Sequence, residues 1–177
     1  MADIKHKVFI SYYHEDDDTW REAFEDKFGG VFINKSVQDG DINTDVSADY
    51  IKRLIQENYL TDTSVLVVLI GPNTWGRKHV DWEISAAISK KVGGYSGLIG
   101  LILPTHADFG KTTYTEAKVP PRLVDNQKSG YAKIYHWTED VGTIKGYIED
   151  AFNARITRCD KIDNTSTIQF QRNRSGK

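Results

Sequence analysis

The stretch TSVLVVLIGPNTWGRKHVDWEISAAISK, Thr63 to Lys90, decides the fold. Its run Val65–Ile70 is apolar without a break and mostly β-branched. A strand with no polar alternation is covered on both faces, which predicts the central strand of a parallel sheet. Gly71-Pro72-Asn73 ends it. Val80, Ile84, Ala87 and Ile88 then fall at the spacing of a helical stripe that faces a core. Glu83 sits at the edge of that stripe, with His79 one turn before it and Ala86 nearly one turn after it on the same flank. The pattern holds a carboxylate beside the apolar face of a helix that leaves the C-terminal end of a central strand. In open α/β sheets that end is where ligands bind.

Upstream, Lys7–Tyr12 (KVFISY) reads as a first strand. His14-Glu15-Asp16-Asp17-Asp18 places acids in the first turn of a helix, where the macrodipole favours them. A metal site is the other reading of this run; solvated caps are the preferred one, and no metal is expected. Trp20, Ala23, Phe24 and Phe28 give the helix its stripe, and Gly29-Gly30 ends it. Val31–Val37 is a second strand. Gln38–Asp45 is a polar loop, Ser47 a candidate N-cap, and Tyr50, Ile51, Leu54, Ile55 and Asn58 mark a further helix.

Downstream, Gly97–Leu103 (GLIGLIL) is a fourth buried strand closed by Pro104. Residues 105–130 show no period; so long a loop is functional or hides a short helix. Tyr131–Trp137 is a fifth strand, and Val141, Ile144, Ile148, Ala151 and Phe152 line a closing helix to about Ile156. Beyond it the chain is polar and ends QRNRSGK. The expected organisation is one domain, residues 1–158, followed by a weakly ordered polar tail, residues 159–177. The alternation βαβαβαβ(loop)βα implies an α/β protein with helices on both faces of a parallel sheet. Five strands suit a flavodoxin-like, three-layer α/β/α arrangement in the order 2-1-3-4-5.

The totals limit the function. A net charge of −2 gives no sign of a nucleic-acid or anionic-membrane partner. The single cysteine, Cys159, excludes an internal disulfide framework and a cysteine-rich zinc site, and fits a cytoplasmic protein. The N-terminal stretch has no secretory core, because charges interrupt it. No apolar run reaches the roughly 20 residues that a membrane helix needs. Fold alone names no activity. The loop after the first strand, YYHEDDD, is acidic and repels the phosphate that a flavin mononucleotide protein must cradle. The central strand ends Leu69-Ile70-Gly71, without the aspartate of a phospho-accepting receiver. Neither GxGxxG after strand one nor GxxxxGK[ST] is present.

A third occupant of the fold fits the residues. Val8-Phe9-Ile10-Ser11-Tyr12 followed by acids resembles the opening strand of TIR domains. Gln38–Asp45 lies where they carry the BB loop. Ile70-Gly71-Pro72-Asn73-Thr74-Trp75 with Val80-Asp81-Trp82-Glu83-Ile84 resembles the stretch that delivers their glutamate. It is most similar to the TIR-like proteins of bacterial Thoeris antiphage systems, as is Ile134-Tyr135-His136-Trp137-Thr138. The resemblance covers about residues 5–155. One position departs from it: many TIR domains have Trp four residues before the glutamate, and here that residue is His79.

The resemblance implies an enzyme that cleaves the nicotinamide–ribose bond of NAD, with NAD as substrate and no separate cofactor. Its Thoeris relatives imply a cyclic ADP-ribose signal, a diffusible nucleotide read by a separate effector protein, and self-association on activation. Glu83 is then the catalytic residue. Phe9, Ser11, Tyr12, Asp39, Trp75 and His79 are the substrate-binding candidates. Phe9 and Ile10 also read as plain core, and Asp39 and Asp41 as solvated loop aspartates. The helical wheel turns Trp82 away from Val80 and Ile84, which makes it an exposed candidate for the self-association surface. His136 and Trp137 line the pocket or simply pack. The competing function is a non-catalytic TIR interaction module that recruits a partner.

Overall fold

The computed structural model describes residues 4–35, 63–90 and 94–175. The expected loop Gln38–Asp45 and the helix through Tyr50 and Leu54 lie outside these residues. The described chain forms five strands and four α-helices. In order they are β1 (His6–Ser11), α1 (His14–Phe28), β2 (Phe32–Asn34), β3 (Val65–Ile70), α2 (Lys78–Ala87), β4 (Gly97–Ile102), α3 (Pro121–Ser129), β5 (Lys133–His136) and α4 (Val141–Thr157). The sheet is parallel throughout, in the order β2-β1-β3-β4-β5. This is the α/β flavodoxin-like fold that the alternation predicts.

β3 is central for the reason its sequence gives. All six of its side chains are out of solvent, and alternate ones enter different cores. Leu66, Val68 and Ile70 join Phe9 of β1 and Leu98 and Ile102 of β4 beneath α2 and α3. Val65, Val67 and Leu69 join Val8, Ile10 and Tyr12 beneath α1 and α4. Two glycines let the helices close on β4. A Cβ on Gly97 would stand 2.2 Å from the carbonyl oxygen of Ala151 on α4. One on Gly100, on the opposite face, would stand 2.8 Å from Leu123 of α3.

One open alternative is settled and two expectations need correction. The aperiodic stretch 105–130 hides a 3-10 turn at Glu116–Lys118 and the whole of α3. Pro121 begins that helix and Gly130, at φ 94°, ends it. This is the Pro-first, Gly-last asymmetry of a helix, and it outweighs a polar composition.

Glu15 and Asp16 at the start of α1 are exposed as expected, but Asp17 is not a solvated cap. Asp17 is 1% exposed and accepts a hydrogen bond from the Thr74 hydroxyl at 3.3 Å. Asp16 accepts from Asn73 Nδ2 at 2.7 Å. The first turn of α1 therefore clasps the turn that leads from β3 into α2. Gly71 has no side chain because the Asp17 carboxylate fills that space; a Cβ there would stand 2.3 Å from Oδ2.

The C-terminal segment is polar but not loose. It packs along α2 and α3, and Phe170 is buried against α2 with the Arg174 guanidinium over its ring. Polar side chains paired with helix carbonyls and buried charges supply the attachment that a hydropathy reading cannot see.

Gly97→Ala is expected to push α4 off β4 and to destabilise the fold by about 2 kcal/mol, measured by urea unfolding. Gly94→Ala, at an open position with φ 90°, serves as a comparison that carries backbone strain without a clash.

Candidate active site

Strand alternation sorts the candidates. Phe9 lies in the core beneath α2, so Ser11, two residues on, faces the same layer. Ser11 Oγ is buried and, among the described residues, has no hydrogen-bond partner. Tyr12 faces the other way. Its ring lies in the core beneath α1, and its hydroxyl donates to Asp18 Oδ1 at 3.1 Å. Burial pushes the Tyr12 phenol well above its ordinary range. Only its backbone reaches the α2 layer.

That backbone sets the height of α2. His79 Nε2–H donates to the Tyr12 carbonyl at 2.9 Å. The imidazole is 7% exposed, and burial lowers its pKa to about 4, so at neutral pH it is uncharged. His14 closes on it edge-on at 5.4 Å and stacks on Tyr12 at 4.3 Å. Glu83 is one turn further along the same flank, so it faces the β1 side of the α2 layer. It is 2% exposed. The helix runs back from the carboxyl ends of the strands, and the structure thereby brings Glu83, His79, Phe9 and Ser11 to one layer.

The opposite flank of α2 is devoted to structure. Asp81 pairs with Arg122 of α3, both nearly fully buried, at 3.0 Å. Trp82, expected to be exposed, is 6% exposed: its indole N–H donates to the Phe170 carbonyl at 2.6 Å. The C-terminal segment covers it, where the sequence predicts a loose tail. Trp82 is therefore not an open surface for self-association.

Trp75 lies in a 3-10 turn, Thr74–Gly76, just before α2. It lines a cleft of about 590 Å³ at the carboxyl ends of β3 and β4, with Pro72, Asn73, His106, Ala117 and Lys118. The wall beyond it is held by committed groups. His106 Nε2 donates to the Lys118 carbonyl at 2.9 Å, and its Nδ1 accepts from the Asp108 amide at 3.0 Å. His136 is likewise used up, accepting from Gly110 N at 3.1 Å and donating to the Lys111 carbonyl at 2.9 Å. Trp137 packs edge-on against Trp20 at 5.1 Å. Both serve packing. Asp39 and Asp41 lie outside the described residues. Among the described residues no His, Cys, Asp and Glu side chains group as metal ligands, and no helix is long and apolar enough to cross a membrane.

The two groups pinning this rim titrate in opposite senses. Burial raises Asp17 from 3.8 to about 6, so the folded chain takes up that proton before the unfolded chain does. Acidification from pH 6 to 4 therefore favours folding through Asp17. His79, lowered from 6.5 to about 4, does the reverse: the unfolded imidazole takes its proton first. Relative to the parent, Asp17→Asn should lose stability as pH falls from 6.5 to 4, and His79→Gln should gain it. Each change amounts to at most about 3 kcal/mol, read from urea unfolding across that range.

The family model described as "Thoeris protein ThsB, TIR-like domain" matches residues 9–108. That span takes in the catalytic and substrate-binding candidates, from Phe9 to Glu83. No curated protein matches the chain. The match covers more than half of the 177 residues and agrees with the strand order. The chain therefore belongs to the family of Thoeris protein ThsB TIR-like domains, and so to the TIR proteins of antiphage defence.

Proposed function

We propose that this TIR domain cleaves the bond between nicotinamide and ribose in NAD and releases a cyclic ADP-ribose product as a signal. The observation that carries the reading is the burial of two polar groups on one layer. Glu83 and the Ser11 hydroxyl, which has no hydrogen-bond partner among the described residues, are both buried on the α2 side of the sheet.

The chemistry asks little of the protein. The C1′–N bond breaks with its electron pair passing to the pyridinium nitrogen, so nicotinamide leaves neutral and needs no general acid. Positive charge develops on the ribose as an oxocarbenium ion. A carboxylate in a water-poor layer stabilises that charge far more than one in bulk water does. Glu83 takes this role and orients the ribose hydroxyls. Ser11 Oγ has both a donor and an acceptor to offer a ribose hydroxyl. Closure follows when an oxygen or nitrogen nucleophile elsewhere in the same nucleotide attacks C1′ and gives up its proton; attack by water gives the linear product instead. Phe9 floors the layer. His79, held neutral, fixes the flank without adding a competing cation.

The cleft at Trp75 opens at the same end of the sheet. Its apolar lining and indole suit the stacking of a planar ring. We assign it to the far half of the dinucleotide. The Thoeris system implies a separate effector, which a diffusible product reaches. Self-association belongs to this proposal too, through a surface other than Trp82.

The test is NAD turnover at high protein concentration, with nicotinamide and product mass followed by mass spectrometry. Glu83→Gln should lower nicotinamide release about 100-fold or more, with the melting temperature little changed. A product with the mass of NAD less nicotinamide, without added water, marks cyclisation. Release by parent and variant alike removes Glu83 from the chemistry. No release by either, including in lysates of phage-infected cells, turns the reading to a non-catalytic interaction module. Trp75→Ala should raise KM for NAD about tenfold with kcat unchanged, the mark of uniform binding.

A further inference from the structure

The outer face of α2 is covered by chain that follows α4. After a 3-10 turn at Cys159–Lys161, residues 163–175 run the length of α2 in the opposite direction. At the far end Asp163 exchanges two hydrogen bonds with Asn126 of α3, at 2.7 and 2.9 Å. Asn164 Nδ2 donates to the Ser85 carbonyl in the last turns of α2 at 3.1 Å. In the middle, Phe170 N donates to Asp81 Oδ2 at 3.0 Å, and the Phe170 carbonyl accepts from Trp82. At the near end Asn173 Oδ1 accepts from Lys78 N at 2.9 Å, and Arg174 N donates to the Gly76 carbonyl at 2.7 Å.

The contact with Lys78 is the informative one. A helix begins with orphan amides, and its own N-cap side chain ordinarily serves one of them. The residue in that place is Arg77, which makes no capping bond. Asn173, 95 residues beyond Lys78, supplies the acceptor instead. Gly76 makes room for the approach: a Cβ there would stand 2.3 Å from the Arg174 carbonyl oxygen.

We propose that residues 163–175 form a strap that sets the position of α2 and hence of Glu83, with Asn173 and Asp81 as positioning residues. Neither touches the substrate. They act on the flank of α2 opposite Glu83, while His79 acts on the Glu83 flank through the Tyr12 carbonyl. The helix is fixed from both sides and capped from a distance. The catalytic consequence rests on the reading of Glu83 as the catalytic carboxylate; the hold on α2 does not.

Three full-length variants test it. Asn173→Ala removes the cap, Asn173→Asp keeps the acceptor at a helix N-terminus, and Gly76→Val wedges Arg174 away. Amide hydrogen exchange of residues 78–81 and NAD kinetics are measured on each. Asn173→Ala should speed exchange in that first turn about fivefold, the effect of a lost cap. It should lower kcat by a similar factor while KM for NAD and the melting temperature stay near the parent's. Asn173→Asp should restore both, and Gly76→Val should repeat the alanine result. Exchange unchanged in both Asn173→Ala and Gly76→Val overturns the strap. Faster exchange with kcat at the parent's level overturns the positioning role. If the parent turns over no NAD, the enzymatic reading falls, and exchange alone still decides whether the strap holds α2.

Discussion

A carboxylate and a guanidinium, both out of water, decide how α2 sits. Removing Asp81 and Arg122 from solvent costs free energy that a simple pair does not return. Here every strong group around them is used. Arg122 Nε and Nη2 reach the Asp81 oxygens, and Nη1 reaches both the carbonyl and the side-chain oxygen of Asn164. The second Asp81 oxygen also takes the Phe170 amide. A buried network that is fully satisfied gains from the low dielectric, and one missing partner turns the same dielectric against it. The pair therefore ties three separate pieces of chain, α2, α3 and the strap, into one arrangement.

That arrangement divides α2 into two working flanks. Asp81, Trp82 and Ser85 face structure, and His79 and Glu83 face the carboxyl end of β1. The 100° step of a helix places Asp81 and Ser85 opposite His79 and Glu83, with Trp82 between the two sets. A catalytic carboxylate needs a fixed position relative to a substrate held by other elements. An all-parallel sheet gathers the ends of β1, β3 and β4 at one rim, and the two-flank helix hangs Glu83 beside them. The first turn of α1 completes the rim by holding the turn after β3 through Asn73 and Thr74.

The strands were legible because period carries them, and their order because five strands alternating with helices suit one layout. An unbroken apolar run can only be a buried strand or a buried helix, and six residues bounded by Gly-Pro settle it. Glu83 was legible as a position for the same reason. Its near-complete burial was not, because period locates a flank and not what covers it. Trp82 shows the same limit: the wheel turned it correctly away from the sheet, and a segment 88 residues away covers it. Phe170 was the available signal, a lone ring in a polar tail. A short helix within 105–130 was one of two readings, and it could not be placed because its nine residues, PRLVDNQKS, carry few apolar positions, yet Pro121 and Gly130 bracket it in plain view. Asp17 escaped because an acid at a helix start needs no burial to be explained.

The long reach from Asn173 back to Lys78 also orders events in time. A ribosome adds roughly 5 to 20 residues per second. The 95 residues that separate the helix start from its cap therefore emerge over roughly 5 to 20 seconds. Through that interval β1, β3 and α2 can pair and collapse, but the first turn of α2 lacks its acceptor, and Trp82 lacks its cover. A nascent chain thus carries Glu83 on a helix that is not yet seated. Completing the seat falls to residues made long after the helix they hold, so the rim is finished only once the strap has followed α2, α3 and α4 out of the ribosome.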